Sequence, residues 1–142
     1  MFLSSCCTPP KENVQQAVQS DYTQAYCSFL TLKPADAGDR AKTREMLMTS
    51  VFLSLDNVRS CCVEGMTSLT PNERRDCSTL ASQVLDYMLL HKGDWDSRRL
   101  DVQAGLRGLR YFLTTPKDVH RLDDLTDYLA AAAKKKSEHQ KP

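Results

Sequence analysis

The segment TPNERRDCSTLASQVLDYMLLHKG, residues 70–93, decides the fold. Both of its ends are marked as helix ends. Thr70 can cap with its hydroxyl, Pro71 suits a first helical position that needs no N–H, and Glu73 stands where a carboxylate reaches back to the cap. Gly93 after Lys92 reads as a left-handed stop. Between these marks Cys77, Leu80, Ala81, Val84 and Met88 recur at steps of three and four, which places them on one apolar stripe. The expectation is a central helix with the remaining helices packed over that stripe.

The chain has 142 residues, which suits one domain with one core. Nineteen basic and eighteen acidic residues leave a net charge of +1. Nucleic-acid binding draws most of its affinity from phosphate contacts and needs a basic excess, so near neutrality argues against that partner. Six cysteines occur, at 6, 7, 27, 61, 62 and 77, without a Cys-x-x-Cys pair, and His91, His120 and His139 are scattered. Structural zinc sites are built from close ligand pairs, so no metal and no cofactor is expected. No stretch approaches the roughly 18 apolar residues that span a bilayer.

Outward from the central segment, Val14, Val18, Tyr22, Ala25 and Phe29 mark a first helix from Lys11 to about Leu32. Leu30 and Leu32 thicken its stripe, and Lys33-Pro34 ends it. A second helix starts between Asp36 and Asp39 and runs to Glu64, with Gly65 as its stop. It buries Leu47, Val51, Leu55, Val58 and Cys62, with Met48 and Phe52 on the flank. A fourth, capped by Asp94, Asp96 or Ser97, carries Trp95, Val102, Leu106, Leu109 and Leu113. Gly105 and Gly108 lie on its flank and suit close approach of a neighbour. A fifth begins at Thr115-Pro116, with Asp118 in the reach-back position. It buries Val119, Leu122, Leu125 and Leu129 and runs into Ala130–Ala133 and Lys134–Lys136. No alternating run bounded by turn residues signals a strand. The fold class is therefore all-α, a compact bundle of about five antiparallel helices with a single core. Residues 11–136 form the bundle, 1–10 a flexible tail or tether, and 137–142 a disordered tail.

Chemistry is sparse. Asp123-Asp124-Leu125-Thr126-Asp127 fits the pattern by which isoprenoid synthases hold magnesium and diphosphate, but those enzymes are far longer and carry a second acidic motif that this chain lacks. The three aspartates also fall opposite the apolar stripe, where solvated charge belongs. Arg99, Gln103, Arg107 and Arg110 line one flank of the fourth helix. As a functional face they suit an acidic partner or a phosphate; the alternative is ion pairing to the acidic face of the fifth helix, or a plain solvated face. Cys62 and Cys77 project toward the core from helices joined by a short link, and they form either a bridge or two buried thiols. His91, near the end of the central stripe, has no sequence-adjacent partner that marks a catalytic base. No nucleophile elbow, phosphate loop or zinc-protease motif is present.

The N-terminal Leu3-Ser4-Ser5-Cys6 has the form of a bacterial lipobox, with Cys6 as the lipid acceptor and a polar, proline-containing stretch after it. Only Phe2 and Leu3 precede the small residues, so this reading requires a basic and apolar leader ahead of Met1. The organisation resembles that of small helical accessory lipoproteins such as secretion pilotins, without a motif that names a family. The sequence thus points to a non-enzymatic binding or accessory module that offers a helix face or groove to a protein partner. Its specific form is a protein attached to the bacterial envelope through an N-terminal lipid. The alternative is a cytoplasmic helical regulator or small enzyme that uses the acidic or arginine face.

Overall fold

The computed structural model describes residues 11–35 and 41–139, with the side chains of 11–14, 33–35 and 41–43 left aside. Among them are five α-helices: α1 (Lys11–Ala35), α2 (Ala41–Val63), α3 (Pro71–Leu90), α4 (Leu100–Phe112) and α5 (Pro116–His139), with one 3-10 turn at Lys92–Asp94. No strand occurs among the described residues, and none of these helices is long and apolar enough to cross a membrane. The chain is an all-α helical bundle.

The start of α3 forms as its sequence dictates. Thr70 Oγ1 accepts from the Glu73 N–H at 3.1 Å, and Glu73 Oε1 accepts from the Thr70 N–H at 2.9 Å, a complete capping box ahead of Pro71. Thr70→Ala is expected to cost about 1 kcal/mol of unfolding free energy, read from the midpoint of urea denaturation. The end of α2 is equally local. Gly65 adopts φ +73°, its N–H reaches Cys62 O at 3.2 Å, and the Met66 N–H reaches Cys61 O at 3.0 Å. This is the Schellman arrangement that satisfies carbonyls left over at a helix end.

Other boundaries differ from the sequence reading. Gly93 is not a left-handed stop: α3 ends at Leu90, His91 closes it by donating to Tyr87 O at 3.1 Å, and Gly93 sits within the 3-10 turn. Helix α1 carries on through Pro34 to Ala35, so the proline sits in the last described turn of the helix rather than ending it at Lys33. The expected cap region Asp36–Asp39 lies outside the described residues. Helix α4 begins at Leu100 without a side-chain cap; Asp96 instead accepts from the Arg98 N–H at 3.0 Å in the link before it. Thr115 Oγ1 does accept from the Asp118 N–H, at 3.3 Å, but the Asp118 carboxylate turns to Arg121 at 3.1 Å rather than back to the cap. Helix α5 continues through Ser137–His139, where a disordered tail was expected.

Contacts between residues fix the helix directions. Ser28 on α1 donates to Ser50 on α2 at 3.3 Å, and Arg110 on α4 pairs with Asp123 on α5 at 3.0 Å while Ser97, before α4, donates to Leu129 O at 3.3 Å. Helices adjacent in the chain are therefore antiparallel. Helices two apart run parallel: Gln19 and Phe29 of α1 meet Glu73 and Tyr87 of α3, and Thr49 and Asp56 of α2 meet Asp101 and Arg107 of α4.

The organising helix is α2 rather than α3. The closest backbone packing runs from α2 to α1 and from α2 to α4. Met48 and Phe52, expected on the flank, are fully buried together with Val51, Leu55 and Val58, because a helix covered from two sides needs a wider apolar arc. Leu47 and Cys62 are only partly buried, and Leu30 is exposed although Leu32 is enclosed. The seam with α4 depends on its glycines. A Cβ on Gly108 would stand 3.0 Å from Leu55 Cβ and 3.2 Å from the Leu55 carbonyl carbon, so only glycine lets the backbones come this close. Helix α3 still buries Cys77, Leu80, Ala81, Val84, Leu85, Tyr87 and Met88 in the same core.

Trp95 belongs to the link rather than to α4. Its ring meets Phe52 edge-on at 5.9 Å and lies 6.1 Å from Tyr87, and its Nε1 donates to Met88 O at 3.0 Å. Such aromatic pairs add about 0.5–1.5 kcal/mol beyond the area they bury. Helices α1 and α3 approach each other at few points, and a cleft opens between them.

Candidate functional site

The cleft encloses about 280 Å³ and is lined by Val18, Gln19, Tyr22 and Thr23 of α1, Leu69 of the α2–α3 link, and Glu73, Asp76 and Cys77 of α3. Helical spacing explains each wall. Residues 18, 19, 22 and 23 form one side of α1, and residues 73, 76 and 77 form one side of α3. Val18 and Cys77 are buried, Tyr22 and Leu69 half-buried, and these four make the floor. Gln19 crosses the opening, its Nε2 donating to Glu73 Oε2 at 3.3 Å. Glu73 is held below the usual carboxylate range, first by the Thr70 N–H and then by Gln19. Burial raises the Tyr22 phenol, and the charge of Asp76 beside it adds to the rise. Burial likewise pushes the Cys77 thiol up to about 12, reinforced by Cys62, Asp76 and Glu73. Burial also raises Cys61 and Cys62. A thiol this hard to ionise is a packing group rather than a nucleophile.

Cys62 and Cys77 come near each other across the α2–α3 corner, and all four described cysteines, Cys27, Cys61, Cys62 and Cys77, are free thiols. Cys6, the lipid acceptor of the sequence reading, lies outside the described residues. Among the described residues no group of three or more His, Cys, Asp or Glu is placed to hold a metal ion.

The arginine flank is paired within the chain at the surface. Arg99 pairs with Glu45 of α2 and, at 3.1 Å, with Asp101. Arg107 reaches Asp56 of α2 at 2.8 Å, Arg110 reaches Asp123 at 3.0 Å, and Gln103 Nε2 donates to Ser97 O at 3.1 Å. The fifth helix therefore receives only Arg110; α2 supplies carboxylates to the other two arginines. Asp123, Asp124 and Asp127 are exposed, and Asp124 lies 3.6 Å from His120 on its own helix. His91 packs against Tyr87 with ring centroids 4.6 Å apart and lies 3.9 Å from Asp94. A second hollow, of about 230 Å³ beside Trp95, is lined by Arg44, Arg99, Asp94, Asp96 and Asp101, whose opposite charges sit together. Comparison with protein-family models, curated proteins and solved structures finds no match to this chain.

Asp56 shows what the arginines do for the fold. Burial raises its carboxyl, but hydrogen bonds from Arg107 and Arg59 outweigh that and hold it below its ordinary value of 3.8. A carboxylate depressed in the folded state contributes stability above its unfolded value and loses it as pH falls through the folded value. Asp56→Asn is expected to cost about 1–2 kcal/mol at pH 7, discounted because Arg107 is half exposed. In urea titrations the gap between variant and wild type should close as the pH drops below about 4.

The cleft is not marked in the sequence: Val18 and Tyr22 belong to the apolar stripe of α1, Glu73 to the cap of α3, and Gln19, Thr23 and Asp76 to polar outer positions. The one available signal was the absence of lysine and arginine from residues 12–32, which leaves the outer side of α1 to amides, hydroxyls and acids.

Proposed function

We propose that the chain is a non-enzymatic binding module and that the cleft between α1 and α3 holds a segment of a protein partner. The observation that carries this reading is an apolar floor reaching the surface beneath carboxylates, with no cationic residue among the described residues that line it. At about 280 Å³ the cleft lies at the small end of ligand-sized pockets, room enough for side chains from a docked segment. The raised thiols and the paired arginines support a binding role over a catalytic one. Photo-crosslinking in the cells that carry the gene tests it. A benzophenone side chain at Thr23 or Asp76 should give one discrete protein adduct that the same probe at Asp124 does not. Equal labelling from all three positions would overturn the assignment.

The lipid-anchored form of this reading draws on Leu3-Ser4-Ser5-Cys6 alone. Metabolic incorporation of labelled palmitate, abolished by Cys6→Ala, supports it; absence of label from the wild-type chain rejects it.

A further inference from the structure

We propose that the side chain received by the α1–α3 cleft is a cationic one with a long aliphatic stem, a lysine or arginine from a basic segment of the protein partner. This rests on the reading of the cleft as a docking site and adds the chemistry of what docks. Lysine and arginine bury their methylene stems along apolar surface and keep the charged head at the rim. The cleft has the matching order. Val18, Tyr22, Leu69 and Cys77 supply the floor, and Glu73 and Asp76 stand one turn apart on the α3 lip. The opposite lip, Gln19 and Thr23, offers hydrogen-bonding groups without a charge to repel a cation.

Of the two arginines between Glu73 and Asp76, Arg74 is drawn toward Tyr111. Arg74 lies over the Tyr111 ring at 5.6 Å, on the side of α3 that faces α4. Glu73 already accepts from Thr70 and from Gln19, so its negative charge is oriented and held ionised before a partner arrives. Asp76 lines the α3 lip of the cleft, and its charge adds to the rise of the Tyr22 phenol on the floor. An acidic or neutral polar side chain would have to give up its hydration beside these two carboxylates. A cation exchanges water for them.

The test is a titration of the full chain, uniformly labelled with nitrogen-15, followed by amide chemical shifts. The probes are n-butylguanidinium, n-butylammonium and the neutral n-butylurea. The two cations should move the amides of Val18, Gln19, Tyr22, Thr23, Asp76 and Cys77 along saturating curves, with affinity about fivefold above the urea, the ratio that half-exposed carboxylates support. In the double variant Glu73→Gln, Asp76→Asn the cations should fall to the level of the urea. Glutamine keeps the reach-back bond to Thr70, so α3 stays capped and the variant reports on charge. Equal affinity of urea and cations for the wild-type cleft would overturn the cation preference and leave the docking site standing. Shifts absent from the cleft with every probe, or confined to other surfaces, would overturn both.

Discussion

Phe52→Ala is expected to lower the unfolding free energy by about 3–5 kcal/mol, the range for removing a fully buried phenylalanine from a close-packed core. Phe52 is 1% exposed and stands where three elements meet. Its ring packs on Gly105 of α4, meets Trp95 of the link edge-on at 5.9 Å, and fills the centre of α2. Its loss leaves a hole bounded by two helices already at their closest approach, so collapse around it is limited and the cavity term stays large. Urea denaturation followed by circular dichroism measures the loss. Trp95 is the only tryptophan, so its fluorescence reports the same site directly. A loss below about 1 kcal/mol would mean that the seam repacks freely, contrary to the geometry.

Gly105→Ala sets two effects of opposite sign against each other. In a helix interior alanine is favoured over glycine by about 1 kcal/mol. Here the added Cβ would stand 2.2 Å from Phe52 Cδ1 and 2.5 Å from Cγ, well inside van der Waals contact. Cγ is anchored next to the backbone and cannot swing clear, and the ring is hemmed in by Trp95. Overpacking of this kind costs about 1–3 kcal/mol or more, so the net outcome is a destabilised protein in spite of the better helix former. The sign should reverse once the ring is gone. In the Phe52→Ala background the new methyl enters vacated space, and Gly105→Ala should become neutral or stabilising by up to about 1 kcal/mol. Additive losses in the double-mutant cycle would show that the two residues do not share one space.

What could be read ahead of the structure was what is decided within a few residues. Thr70, Pro71 and Glu73 cap one helix through bonds that span three positions, and Gly65 ends another through bonds spanning three to five. Trp95 misled because its seven-residue step to Val102 imitates a helical stripe. Its burial comes from an irregular link whose indole N–H finds Met88 O, and no sequence period encodes that bond. Adjacency beyond neighbouring helices was also hidden. The closeness marked by Gly105 and Gly108 was legible, but that its object is α2 was not. Spacing places Arg99, Arg107 and Arg110 on one flank, but it does not show that Arg99 and Arg107 find carboxylates on α2 and only Arg110 finds one on α5. The cleft stayed invisible for the same reason: its walls come from helices about 50 residues apart, and neither wall alone is more than a helix with a polar outer side.

The parallel pairing of α2 with α4 governs the order of assembly. Each helical hairpin in this chain closes over a short link, whereas Thr49–Asp101 and Asp56–Arg107 join residues 52 and 51 positions apart. The entropy of that larger loop must be met before the seam returns any contact energy, and only after α3 has turned the chain back does α4 arrive in register. The seam of α2 with α4, like the contacts of α1 with α3, is therefore expected to form after the local hairpins on refolding. Weakening it should chiefly quicken unfolding and leave the folding rate little changed. The lifetime of the folded chain is set where one phenylalanine ring meets one bare backbone.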